Sequence, residues 1–87
     1  MALRVRAEPA YPAVLRRSGV EGAVRIRFVV DTLGRVELSS VDVRATTNEA
    51  FTEAVRAVLP KLRFTPAEVG RRRVRQLVEM PFIFSLR

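Results

Sequence analysis

Ser39 and Ser40, Lys61 and the carboxylates Glu37, Asp42 and Glu79 are the side chains of this 87-residue sequence whose types could do chemistry. A serine becomes a nucleophile only with a base in hydrogen-bond reach and a third group to orient that base. The sequence has no histidine, and its only lysine, Lys61, is far along the chain from the serine pair. Glu37, Asp42 and Glu79 fall at outward positions of strand-like stretches, where pairing with arginine is their ordinary use. With neither histidine nor cysteine present, an imidazole or thiolate metal site, a histidine-based triad and a disulfide are all excluded within the chain. We therefore expect no catalytic residue, no metal ligand and no cofactor. The lack of cysteine is silent on compartment, because many secreted domains carry no disulfide.

Charge offers a second kind of chemistry. Sixteen basic residues against nine acidic ones give a net charge of +7, and fifteen of the sixteen are arginine. Such a balance attracts nucleic acid, anionic lipid or an acidic protein surface. "GRRRVRQ" is the one dense run, with Arg71, Arg72, Arg73 and Arg75 together. A nucleic-acid interface would interleave aromatics for base stacking or offer a helix to a groove. Phe82 and Phe84, near it in sequence, have the parity of core residues, so no nucleic-acid partner is expected. A solvated loop, or arginines that steer an acidic peptide, fits the run better. A third feature is "EPAYP", residues 8–12. Pro9 and Pro12 keep this backbone extended and short of donors, and Pro12 suits the first turn of a helix. Tyr11 is then either a lid over a small core or a contact residue.

The elements that must position these residues are legible from their periods. "AVRIRFVVD" alternates, with Val24, Ile26, Phe28 and Val30 on one face and Arg25 and Arg27 on the other, a half-buried strand. "DTLG" places Asp31 first and Gly34 last in a type I turn. "RVELSSVDV" returns as a second strand whose parity changes between Leu38 and Val41, so a bulge near Ser39 and Ser40 is expected. Phe51, Ala54, Val55, Val58 and Leu59 follow the stripe of a helix over 48–59, capped by Thr47 or Asn48 and ended by Pro60. "PAVLRRSG" reads as a helix of about two turns, with Gly19 its terminator.

"VRQLVEMPFIFSL" reads as the third and longest strand, with Val74, Val78, Met80, Phe82, Phe84 and Leu86 inward. Pro81 confines it to a sheet edge. The whole is one domain, 1–87, with residues 1–9 a linker or lead-in. Its fold class is α+β: a three-stranded antiparallel sheet in the order 2-1-3, with two helices on one face. No run of 18 apolar residues suggests a membrane span.

Several stretches in order, "EPAYP", "VEGAVRIRFVVDTLGRV", "FTEAVRAVL", "LRFTPAEVG" and "VEMPFIFSL", resemble the C-terminal domain of TonB-type energy transducers over about residues 6 to 86. The resemblance implies three antiparallel strands with two helices on one face. It also implies a periplasmic domain, tethered by a Pro-rich linker to an inner-membrane anchor that this sequence lacks. Through that anchor the family couples to a motor complex driven by proton-motive force. Its partner is the TonB box of an outer-membrane transporter, captured by addition to the last strand.

Carried over by residue, the receiving edge is Val74 to Met80, with Arg73, Arg75, Gln76, Leu77, Val78 and Glu79 on it, acting through backbone groups. The family's Q-P-x-Y-P stretch corresponds to Glu8, Pro9, Ala10, Tyr11 and Pro12. Glu8 replaces a glutamine and, when ionised, can only accept hydrogen bonds. Leu62 stands where tryptophan is common, and Pro60 where the family continues its helix. An exposed edge also invites a two-fold homodimer. Similar domains occur fused to sensor or peptidase modules, where they serve as interaction domains.

Overall fold

The structure is a computed structural model that describes residues 3–86. In chain order its elements are β1 (Leu3–Val5), α1 (Ala13–Arg17), β2 (Gly22–Val30), β3 (Val36–Thr46), α2 (Glu49–Val58), a 3₁₀ turn (Leu59–Lys61), β4 (Arg63–Phe64), β5 (Ala67–Val69), β6 (Arg72–Val74) and β7 (Gln76–Phe84). The main sheet runs β3-β2-β7 and is antiparallel throughout. That is the expected 2-1-3 order, with the most strictly alternating strand in the centre. Val24, Ile26, Phe28 and Val30 of β2 are all buried, and they meet Phe51 and Val55 of α2 and Leu15 of α1 in one cluster. Both helices thus cover one face of the sheet.

Local chemistry explains the ends of each element. The side chain of Asn48 accepts from the Ala50 amide at 2.8 Å and caps α2, so of the two candidate caps it is the asparagine that acts. Pro60 lies in the 3₁₀ turn that ends α2, because proline has no N–H to continue the helical ladder. Helix α1 is shorter than expected, five residues, and gives way to Gly19 at φ +70°. In the hairpin turn the Gly34 N–H donates to the Asp31 carbonyl at 3.0 Å, and Asp31 Oδ1 accepts from the amides of Arg35 and Leu33. Those bonds, that of Arg35 foremost, hold the Asp31 carboxyl below its ordinary range. The bulge lies where expected. Register slips between Arg27↔Asp42 and Val29↔Glu37, and Ser40 Oγ fills the gap by accepting from the Val29 amide and donating to the Glu37 carbonyl.

Gly34 also permits a close approach. Its φ is +84°, its carbonyl accepts from the Phe64 amide at 2.8 Å, and a Cβ added there would stand 2.0 Å from the Phe64 carbonyl oxygen. Gly70 has a similar φ of +64° but open space around it. Gly70→Ala should therefore cost only the left-handed strain, about 1 kcal/mol. Gly34→Ala adds overlap with backbone and should cost about 3 kcal/mol. Urea unfolding of the two variants side by side measures the difference, and equal costs would refute the close approach.

Three expectations need correction. The stretch 74–86 is not one strand: Arg75 interrupts it, Val74 belongs to β6, and β7 ends at Phe84, where its partner β2 begins at Gly22. β3, at eleven residues, is the longest strand. Leu86 lies past the ladder and is exposed, not inward; its amide is held by Glu21 Oε2 at 2.7 Å. The segments read as lead-in and loop also form ladders, β1 with β4 and β5 with β6.

Candidate functional site

The sheet has two edges, and they differ. The β3 edge is broken by register slips on either side of the Ile26–Arg27 pairing, and bulges of this kind blunt an edge as a pairing template. β7 pairs with β2 over nine residues without a slip, from Gly22↔Phe84 to Val30↔Gln76. Among the described residues it has a strand neighbour on that side only.

The phase of the β7 backbone follows from β2. The Ala23 amide donates to Thr47 Oγ1 and the Val29 amide to Ser40 Oγ, so these residues turn their backbone groups toward β3. Successive residues of a strand alternate. Val24, Ile26 and Phe28 therefore face β7, and their register partners Phe82, Met80 and Val78 close that ladder. The backbone groups of Leu77, Glu79, Pro81 and Ile83 are left on the free side. Pro81 thus costs the sheet no hydrogen bond, because its missing donor faces away from β2.

The side chains of the edge are largely committed to the outer face. Glu79 lies 3.0 Å from Arg27 and 3.4 Å from Arg25 across the β2 ladder. Arg75, between β6 and β7, forms a two-pronged pair with Glu37 at 2.6 and 2.8 Å. These hydrogen bonds hold the Glu37 carboxyl below its ordinary range and raise the Arg75 guanidinium further. Leu77 and Ile83 are exposed, and Gln76 is exposed at the start of β7. Val78 and Met80 are half-buried against the core. Arg73 and Val74 lie in the neighbouring ribbon, opposite Glu68 and Ala67.

The "EPAYP" stretch stands at the other end of β7. Tyr11 packs edge-on against Phe51 and Phe84, with centroids 5.6 and 5.7 Å away, and its hydroxyl donates to the Val20 carbonyl. The Arg16 guanidinium lies 5.2 Å from the centre of the ring. Partial burial, with the Glu21 carboxylate nearby, raises the Tyr11 phenol above its ordinary value. A groove of about 440 Å³ separates this segment from β7, with Glu8, Pro9 and Tyr11 on one wall and Met80, Phe82 and Ile83 on the other. Pro12 is not in it; it caps α1.

The structure therefore brings Glu8, Pro9 and Tyr11 together with Met80 but not with Arg73 to Glu79, which lie in β6, at the Arg75 break and in the first part of β7. Arg6, Arg16 and the half of β7 beyond Met80 also line the groove. Sequence reasoning missed them, and the one available signal was the outward parity of Ile83. Among the described residues, no group of three His, Cys, Asp or Glu side chains could hold a metal ion. No helix among the described residues is long and apolar enough to cross a membrane.

Comparison with known proteins places these features in company. The family model described as Gram-negative bacterial TonB protein C-terminal matches residues 7–86. Protein TonB of Pseudomonas aeruginosa is 28% identical over 78 residues, covering 90% of this chain and 22% of that protein. Protein TonB of Yersinia enterocolitica is 37% identical over 59 residues, covering 68% of this chain and 23% of that protein. The chain thus spans less than a quarter of the length of these relatives. The solution NMR structure of the Pseudomonas aeruginosa TonB C-terminal domain superposes with a TM-score of 0.81 at 26% identity, covering 97% of this chain and 84% of that one.

Proposed function

The chain belongs to the family of C-terminal domains of Gram-negative bacterial TonB proteins, and from that premise we propose that it is a peptide-capturing module of an energy transducer rather than an enzyme. In this reading it works in the periplasm, tethered to the inner membrane by segments outside the chain. It adds the TonB box of an outer-membrane transporter to the free side of β7. A motor complex driven by proton-motive force then acts on the transporter through that strand. The supporting observation is the unbroken nine-residue register of β7 against β2, with its other side open among the described residues. Strand addition draws affinity from backbone bonds, and the groove beside Tyr11 supplies a pocket for a side chain at one end. The same open edge can pair with a second copy, so homodimers at high concentration belong to this reading.

The test is an NMR titration of the isotope-labelled chain with a synthetic TonB-box peptide. Amide shifts should be confined to residues 6–12 and 73–84. Shifts on Arg25 and Arg27 that appear only with nucleic acid, and none with the peptide, would overturn the reading.

A further inference from the structure

β5 and β6 form a two-stranded ribbon, Ala67↔Val74, Glu68↔Arg73 and Val69↔Arg72, closed by Gly70 at φ +64° and Arg71. The ribbon packs on itself and makes no extended contact with other elements, in a molecule measuring 50 × 21 × 17 Å. Its tip holds three consecutive arginines, with Glu68 across the ladder from Arg73. Arg25, Arg27, Arg35, Arg44 and Arg75 each have a carboxylate partner. Arg71, Arg72 and Arg73 are exposed and, among the described residues, have none. Val69, paired with Arg72, is 69% exposed.

We infer that this arginine tip is a docking element for the phosphate-bearing surface of an anionic lipid bilayer. Cross-strand partners share a face and neighbours alternate, so Arg72 and Arg73 point to opposite faces and Arg71 caps the turn. Guanidinium groups spread in this way suit a diffuse field of phosphates, not a single carboxylate. Val69 beside Arg72 gives the tip an apolar foot at headgroup depth, with the arginine stem lying along it. The ribbon carries no aromatic residue, so it lacks the stacking surface that single-stranded nucleic acid uses. Because the ribbon leads straight into β7, docking would hold the receiving edge close to the bilayer.

The experiment is co-sedimentation of the 87-residue chain with vesicles of phosphatidylcholine, with and without about one third phosphatidylglycerol. Binding is expected only with the anionic lipid. The triple change Arg71→Ser, Arg72→Ser, Arg73→Ser should weaken it about a hundred-fold, or about five-fold per arginine. A charge-matched control, Arg4→Ser, Arg17→Ser, Arg56→Ser, should lose far less. Circular dichroism confirms that both variants fold. Equal losses in the two variants would make net charge the cause and overturn the proposal. So would complete displacement by millimolar inorganic phosphate, which would mark a single anion site. Binding of duplex DNA with no vesicle binding would overturn it too.

Discussion

Phe51→Ala is expected to cost about 3–5 kcal/mol, the range for deleting a buried aromatic ring. The ring is fully buried, stacked on Phe84 at a centroid distance of 4.2 Å and touched edge-on by Tyr11. Behind it lies β2 backbone: a Cβ built on Gly22 would stand 2.7 Å from the Phe51 ring. Neighbours this rigid cannot close over the cavity, and an unfilled cavity carries the full penalty. A domain of this size has a stability on the order of 4–13 kcal/mol, so the variant should lose a large part of it. Phe82→Ala, at a half-buried position on the rim of the same cluster, should cost clearly less. Urea unfolding midpoints measure both. A change below about 1 kcal/mol for Phe51→Ala would mean that α2 does not pack on the sheet as described.

Leu77→Pro should weaken capture of a TonB-box peptide by about ten- to a hundred-fold while leaving the fold intact. Leu77 directs its N–H to the free side of β7, so proline there removes a donor from the open edge but none from the β2 ladder. The loss is that of a hydrogen bond whose incoming carbonyl is left unsatisfied, about 1–3 kcal/mol. Leu77→Ala keeps the donor and should lower affinity only a few-fold. Val78→Pro is the phase control, because that residue bonds to β2 and its loss should unfold the edge. Pro81→Ala restores a donor to the free side and should tighten capture. Fluorescence titration of a labelled peptide, with circular dichroism on each variant, reads all four. Equal losses for Leu77→Pro and Leu77→Ala would place recognition in side chains and refute capture by strand addition.

What could be read from the sequence, and what could not, follows from how many residues carry each signal. β2 buries four alternating side chains and α2 an entire stripe, so both stand out as periods. Asp31 and Gly34 announce their turn because few other residues suit those positions. The ribbons β1–β4 and β5–β6 have two or three residues per strand, too short for any period. Leu3 pairs with Phe64 across about sixty positions of chain, beyond the reach of any local pattern. At the candidate site, Pro81 betrays an edge strand from sequence alone. The groove is different. It joins Glu8 and Pro9 to Phe82 and Ile83, residues more than seventy positions apart, and no local pattern links them. Tyr11 serves as a lid on Phe51 and Phe84 and also as a groove wall, so the two roles foreseen for it are compatible.

The unbroken register of β7 has a mechanical side. A strand bound along β7 and tugged parallel to its axis would load the β2–β7 bonds in shear, so all of them resist at once. A tug across the axis would open the bonds one after another, as a zipper does, at far lower force. Because β2 is also clamped to β3, the load on the β7 ladder would spread to the middle of the domain rather than stay at its rim. The slips in β3, where bonds are missing or borrowed from Ser40, would make that side the weaker one. Under tension, then, the domain would be strongest along the β7 edge and weakest along the β3 edge.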